Sequence, residues 1–171
     1  MTNLTNAEKL TNAETMRHIL TIRALLMEAI RELVNRADAH DVSKLGPPEV
    51  DIFTKYTDTL AKLTYGSDEY KQCLKEMQPA LDNHYKHNAH HPEHHINGIH
   101  SMDLFDLVEM LIDWKAATLR HANGDINRSI EVNEKRYGMP PFLVQLLKNT
   151  LPKLEVMSTR SRVAVSYPHV E

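Results

Sequence analysis

Apolar residues recur at helical spacing along most of the chain, and this pattern predicts its elements. In the first long stretch they fall three and four positions apart, which is one face of an amphipathic helix over about residues 12–38. Thr11 and Glu14 precede it as a capping box, in which each side chain bonds the other's backbone N–H. The positions predicted to face inward are Ile19, Ile22, Leu26, Ala29, Leu33 and Ala37.

Proline, glycine and serine mark the boundaries of the later helices. The stretch "GPPEV" at 46–50 ends one element and begins another. Ser67 is the predicted N-cap of a third helix, which Pro79 kinks or restarts. Ser101 can cap a fourth helix. The second helix is predicted at 48–64, the fourth at 102–122, and two shorter helices at 126–137 and 140–149.

These elements predict an all-α protein: a single-domain bundle of about five to seven helices over residues 1–171. The segments 1–10 and about 155–171 are weakly specified tails. Five glycines and a low aromatic content of 6% agree with a helical fold. A chain of 171 residues is long enough to bury its own core.

Charge and cysteine content exclude several classes of function. The net charge is −3 without any basic block, so composition gives no indication of nucleic-acid binding. Cys73 is the only cysteine, which excludes an internal disulfide and favours a reducing, cytoplasmic environment. There is neither a recognisable signal peptide nor an apolar run of membrane-spanning length, so we expect no membrane association.

Histidine clustering is the most unusual feature of the chain. Seven of the eleven histidines lie within seventeen positions, beginning with "HYKHNAHHPEHH" at 84–95. His84 continues an apolar helical stripe, so it is either a ligand or a hydrogen-bonded core histidine. His90 and His91 precede Pro92 and can be presented together by a turn. His87 and His95 are predicted to face solvent.

Two further segments carry residues that could join a metal site with these histidines. In "HDVSK", His40 and Asp41 offer an imidazole and a carboxylate, and Lys44 lies one turn away, within reach of a phosphate held at the metal. The alternative is a helix-capping Asp beside an unrelated His. Asp113 lies in the most apolar helix, where a cation would offset the cost of burying a carboxylate. Asp106 is predicted to belong to a solvated acidic face.

The order of these residues resembles the HD-domain superfamily of metal-dependent hydrolases. "HDVSKLGPPEV" is similar to the "HDxGK…P" pattern of its dinuclear members. The resemblance implies that His40 and Asp41 join two metals, that later histidines complete one position, and that a final Asp completes the other. It implies an HD-domain-like fold. The ligands carried over are His40, Asp41, His84, His90 or His91, and Asp113, and both His90 and His91 are kept as candidates.

The chain also resembles a narrower, often phage-encoded group of uncharacterised proteins with the motifs HDxSK, NxHHPEH and EMxxDW. Here these motifs read "HDVSK", "NAHHPEH" and "EMLIDW", within about residues 16–150. For a phage-encoded protein the cytoplasm would be that of the host. HD domains have an earlier His ligand, for which His18 is the candidate. An unbroken helix would hold His18 about 33 Å from His40, at 1.5 Å per residue, so it reaches the site only if the helix breaks.

We therefore expect a metal-dependent phosphohydrolase that acts on a nucleotide or related small phosphate ester. One or two divalent ions (Zn, Mn, Fe, Co or Ni) would activate a water for in-line attack. Lys44 and Arg120 would bind the phosphate, Glu109 would be a base or a ligand, and His94 would be the acid for the leaving oxygen. The alternatives are a di-iron HD-type oxygenase and a non-catalytic, metal-stabilised helical binding protein. A homo-oligomer is also possible.

Overall fold

The computed structural model describes residues 4–63, 67–119 and 124–158, and these residues form helices and no strand. The all-α prediction is confirmed, and the helices form a single compact domain. They are α1 (Asn6–Ala39), α2 (Glu49–Lys62), α3 (Asp68–His87), α4 (Leu104–Leu119), α5 (Ile126–Tyr137) and α6 (Pro141–Ser158). Three short 3₁₀ turns, Val42–Leu45, Pro92–His94 and Gly98–Ser101, lie between them.

The first helix begins earlier than predicted. Its N-cap is Thr5, whose backbone N–H donates to Glu8 Oε2 at 2.7 Å while Glu8 N–H donates to Thr5 Oγ1 at 3.3 Å. This pair forms the capping box instead of Thr11 and Glu14, because the same T-x-x-E pattern occurs twice in the sequence and the earlier copy is used. Residues 6–10 are therefore helical.

Prolines within helices also depart from the prediction. Pro79 does not restart α3, which runs on to His87, because Met77 and Ala80 are buried on either side of it and hold the helix in place. Likewise α6 passes Pro152, next to the buried Leu151, and extends to Ser158 instead of stopping near 149.

The fourth helix has a different cap from the predicted Ser101, which closes the last 3₁₀ turn. Asp103 and Asp106 cap α4 reciprocally: the backbone N–H of each donates to the carboxylate of the other at 2.9 Å. The cap fixes the register of α4 and hence which of its faces meets α1.

The hydrophobic core lies among the helices of the second half of the chain. Side chains from the third 3₁₀ turn, α4, α5 and α6 form one buried apolar cluster, which includes Ile99, Met110, Leu111, Ile130, Leu143 and Leu147. Helix α2 packs on α3, and α1 packs on α4. The chain between α3 and α4 folds back between these pairs, which places its histidines near the C-terminal end of α1. None of the described helices has the length and hydropathy needed to cross a bilayer.

The apolar face of α1 is not packed as predicted. No residue of α1, which lies entirely within the described part of the chain, is buried, and Ile19, Ile22 and Leu26 are exposed. The side chain of Arg36, near the C-terminal end of α1, contacts α4. Periodicity identified the apolar face correctly, but the described part of the chain leaves most of it exposed.

Candidate metal centre

Three segments bring their polar side chains to one place in the fold. The end of α1 supplies His40 and the following turn supplies Asp41, α3 and the turn after it supply three histidines, and α4 supplies two acids. Asp41 has a left-handed backbone with φ of 59°, a conformation that few residue types other than glycine adopt readily. This reversal after α1 turns the Asp41 carboxylate toward the histidines.

Four of these side chains converge on one point, which we call the first position: Asp41, His84, His90 and His91. Asp41 Oδ1 lies 3.4 Å from His84 Nε2 and 3.6 Å from His90 Nε2. His84 Nε2 lies 2.8 Å from His91 Nε2. Ligand atoms held 2.0–2.2 Å from a tetrahedral ion are roughly 3.4 Å apart, so these spacings fit one transition-metal ion.

Two atoms of the first position are buried without a hydrogen bond. Within the described part of the chain, Asp41 Oδ1 and His90 Nε2 have no partner. A buried acceptor left unpaired costs about 1–3 kcal/mol. Both atoms point at the centre of the four-residue cluster, where a cation would satisfy them together.

A second group, which we call the second position, consists of His40, Asp41 and Asp113. His40 Nε2 lies 3.6 Å from Asp41 Oδ2 and 3.8 Å from Asp113 Oδ1. Asp41 thus directs one carboxylate oxygen at each position. The side chains of His40 and Asp113 are 29% and 24% exposed, against 4% and 2% for His84 and His90, so the second position is more exposed than the first.

The two positions also differ in the charge of their histidines. Burial and the charge of Lys44 lower the pKa of His84, and burial with the charge of His40 lowers the pKa of His90. Burial, with His90 and His84 beside it, lowers the pKa of His91 to about 3. In contrast, the carboxylates of Asp113 and Glu109 raise the pKa of His40 to about 9. In the absence of metal the first position therefore holds neutral imidazoles and the second a cation at pH 7.

Two acids, the buried Glu49 and the partly buried Glu109, contact the far side of these imidazole rings. Glu109 Oε1 lies 2.8 Å from His40 Nδ1 and 3.0 Å from His90 Nδ1, and Glu49 Oε2 lies 2.9 Å from His84 Nδ1. A carboxylate accepts, so each Nδ1 is the donor and each Nε2 lone pair faces the metal position. With His40 and His90, Glu109 also forms a third group whose ligand atoms are close enough to hold an ion, so Glu109 as a ligand or a base stays a prediction.

Sequence reasoning missed Glu49, which has 0% exposure and also accepts from Asn83 at 2.8 Å. In the sequence it looks like an ordinary acid in the first turn of α2. Its position opposite His84 depends on the packing of α2 on α3, which periodicity does not reveal.

Arg36 was missed as well, and the prediction for Asp106 was wrong. The Arg36 guanidinium donates from Nη1 to Asp106 at 2.8 Å and to Glu109 at 3.2 Å, and from Nε to Glu32 at 2.8 Å. Asp106 is buried rather than solvated, because this cation and the α4 cap occupy its oxygens. Arg36 thus ties α1 to the acid that orients His40 and His90.

Lys44 borders the first position and a cavity beside it. Its Nζ donates to Asp41 Oδ2 at 2.6 Å, and this contact with its positive charge outweighs burial and lowers the pKa of Asp41. The cavity has a volume of about 430 Å³ and is lined by Lys44, Phe53, Leu81, His84, Tyr85 and His91. Tyr85 therefore borders it, whereas Trp114 stacks on Tyr137 at 6.3 Å against the core.

The structure does not bring every predicted residue to the centre. His18 is exposed on the unbroken helix α1, which keeps it about 33 Å from His40 along the axis, so the prediction of His18 as a ligand of its own chain's site fails. His94 is exposed and its Nδ1 donates to the Tyr85 carbonyl at 2.7 Å, outside both positions. His87 is exposed as expected, but His95 is only 14% exposed and lies beside Asp106. Arg120 lies outside the described residues.

The comparison with protein families covers nearly all of this arrangement. A family described as "Family of unknown function (DUF5662)" has a model that matches residues 7–153. The chain belongs to this family. The match includes every residue of both metal positions, Lys44, and the acids Glu49 and Glu109. No curated protein and no solved structure matches the chain.

Proposed function

We propose that this protein is a metal-dependent phosphohydrolase whose substrate is a small phosphate ester, with a nucleotide as the preferred class. One observation carries the proposal: four ligand atoms of Asp41, His84, His90 and His91 converge, and two of them are buried without a partner. The order of the ligands along the chain, and the sharing of Asp41 by both positions, support an HD-type centre.

The donor set favours transition metals over magnesium or calcium. Three imidazole nitrogens and one carboxylate oxygen suit Zn, Mn, Fe, Co or Ni, whereas Mg²⁺ and Ca²⁺ prefer oxygen ligands. The second position has one imidazole and two carboxylates, which accept the same ions. A full set of protein ligands at the first position and an incomplete set at the second is the pattern expected of one firmly held and one reactive ion.

When bound, divalent ions would supply Lewis-acid activation of water and of a phosphoryl oxygen. The chain's own contribution is to place the ester beside them. Lys44 is 42% exposed and faces the cavity with its ammonium, so it can exchange its contact with Asp41 for a phosphate oxygen. Phe53 and Tyr85 give the same cavity apolar walls, against which a base or another flat group can pack.

The cavity volume limits the size of the substrate. At about 430 Å³ it lies at the small end of ligand pockets, which span roughly 300–1,000 Å³. This volume favours a mononucleotide or a simple sugar or alkyl phosphate over a polymer, in agreement with the absence of a basic block from the sequence.

The experiment combines metal depletion with a charge-removing variant. Protein treated with excess chelator should lose hydrolysis of a panel of nucleotides and small phosphate esters, and one of the five divalent metals should restore it. Lys44→Met keeps the length of the side chain and removes its charge; we expect KM to rise about tenfold or more, as for loss of a charge-assisted hydrogen bond. Lys86→Met on the exposed surface of α3 is the matched control.

Metal content measured on both variants separates binding of substrate from binding of metal. Hydrolysis that persists in metal-free protein would refute the proposal. Metal-loaded protein that consumes O₂ with an organic substrate and hydrolyses none of the esters would instead identify a di-iron oxygenase. Bound metal with neither activity would identify a metal-stabilised binding protein.

A further inference from the structure

Within the described residues, an extended apolar surface lies on α1, far from the candidate metal centre. Between residues 16 and 30 large side chains recur on one side of this helix and remain about half exposed. We call them the α1 face: Met16 (55% exposed), Ile19 (51%), Ile22 (43%), Leu26 (59%), Met27 (51%) and Ile30 (51%). The opposite side of the same turns carries Arg17, Thr21 and Glu28.

The area of this face is that of a patch that marks an interaction site. At about 25 cal/mol per Å², a contribution of 1.5–3 kcal/mol corresponds to roughly 60–120 Å² per apolar side chain, so the half-exposed portions of the six residues amount to roughly 200–350 Å². The flanking Leu20 and Val34 are also more than half exposed and enlarge it. Contiguous apolar patches above a few hundred Å² are rare on monomeric proteins, and a standard interface, which buries about 800 Å² on each partner, surrounds such an apolar centre with polar residues.

The helix itself also requires a partner. In proteins, most helical stability comes from packing of an apolar face, and an isolated helix is marginal in water. Within the described residues the N-terminal part of α1 packs on nothing that buries it, since no residue of α1 is buried. The partner must then be present whenever the chain folds, and a second copy of the chain always meets that condition.

Charge distinguishes a second copy from other occupants. Residues 6–39 contain five basic and five acidic side chains, so α1 has no net charge. A helix that binds an anionic membrane or a nucleic acid is enriched in Lys and Arg, and α1 lacks such an excess of basic residues. Two identical neutral helices can associate without net repulsion, and a twofold arrangement places the same face on both sides of the interface.

We propose that two copies of this chain associate through the α1 face. The face continues along the helix through Ala29 and Leu33 to the turn that α4 covers. The second copy therefore extends toward the N-terminus the packing that α4 provides near Arg36 and His40. This inference is independent of the proposed hydrolase activity.

The test is the mass of the full chain in solution, measured by sedimentation velocity and light scattering over a wide concentration range. The wild-type protein should have twice the chain mass of 19.7 kDa. The double substitution Ile22→Glu with Leu26→Glu should weaken association at least a hundredfold and give monomers. Thr21→Glu adds the same kind of charge on the opposite side and should remain dimeric.

Metal content and the far-ultraviolet circular dichroism of the rest of the domain report whether each variant is folded. Because the substituted residues are exposed and distant from the core, the double variant should keep its metal. A wild-type protein that is monomeric at every concentration would overturn the proposal, whether or not it binds anionic vesicles. So would a double variant that dimerises as strongly as Thr21→Glu.

Discussion

The first and second metal positions share Asp41 but differ in every other physical respect. The first is buried, contains three imidazoles that are neutral before any ion arrives, and has acids behind two of them. The second is about a quarter exposed and contains a histidine that two carboxylates hold as a cation. A single carboxylate thus connects a buried group of neutral imidazoles with a more exposed, charged group.

The difference indicates that the two positions would hold metal with different strength. Neutral imidazoles need not lose protons to bind an ion. An ion at the first position would therefore displace few protons and should be held firmly. At the second position an ion must expel a proton from His40, and its three protein ligands leave coordination sites open. Open coordination is what substrate and water require. The following predictions test this contrast.

Removing the shared charge should have the largest effect. Asp41→Asn keeps the side-chain size, and asparagine tolerates the positive φ, so the backbone should be preserved. Both positions lose their common anionic ligand, and we expect metal content to fall below one ion per chain and hydrolysis to fall on the order of a thousandfold. Elemental analysis and rate measurements check this, with Asp38→Asn on the exposed surface of α1 as control. Two ions retained in Asp41→Asn would exclude the bridging role.

Substitution of the acids that orient the histidines should change metal binding differently at the two positions. Of the candidate histidine ligands, Glu49 contacts His84, whereas Glu109 contacts both His40 and His90. Glu49→Gln should therefore weaken metal binding about 10- to 100-fold at the first position alone, and Glu109→Gln should weaken both. Titration of metal-free protein against a chelating indicator resolves the two affinities. Equal weakening of both positions by Glu49→Gln would contradict the assignment.

Proton release should give the smallest but most specific signal. The pKa of His40 is raised to about 9, so at pH 7 this ring is protonated and must lose about one proton when metal binds at the second position. Affinity there should rise with pH up to about 9, while binding at the first position should release almost none. Calorimetry in buffers of different ionisation enthalpy counts the protons. Asp113→Asn lowers the His40 pKa and should reduce the number; an unchanged count would refute the assignment.

Local features of the chain were predictable from sequence because they depend on near neighbours. The helical periodicity and the turn at Pro92 each depend on residues a few positions apart, and the candidate ligands are recognised by their residue types. The sequence therefore identified four of the helices, α2 to α5, closely, and it named the six residues that form both candidate metal positions.

Features that depend on packing between distant segments were not predictable in the same way. Glu49 reaches His84 across 35 positions, and Arg36 reaches Asp106 across 70, so neither is suggested by spacing. The same limit applies to α1. Its apolar stripe shows which side seeks a partner, but periodicity contains no information on whether that partner belongs to the same chain.

The left-handed backbone at Asp41 makes this position unusually intolerant of substitution. Two independent requirements restrict the residue type at this position. The conformation admits Gly, Asn, Asp and, less readily, His, and it penalises nearly all other side chains. The proposed sharing between two ions requires a carboxylate, which means Asp or Glu. Aspartate alone meets both requirements. A complete mutational scan of the chain should therefore find that this position tolerates fewer substitutions than any other.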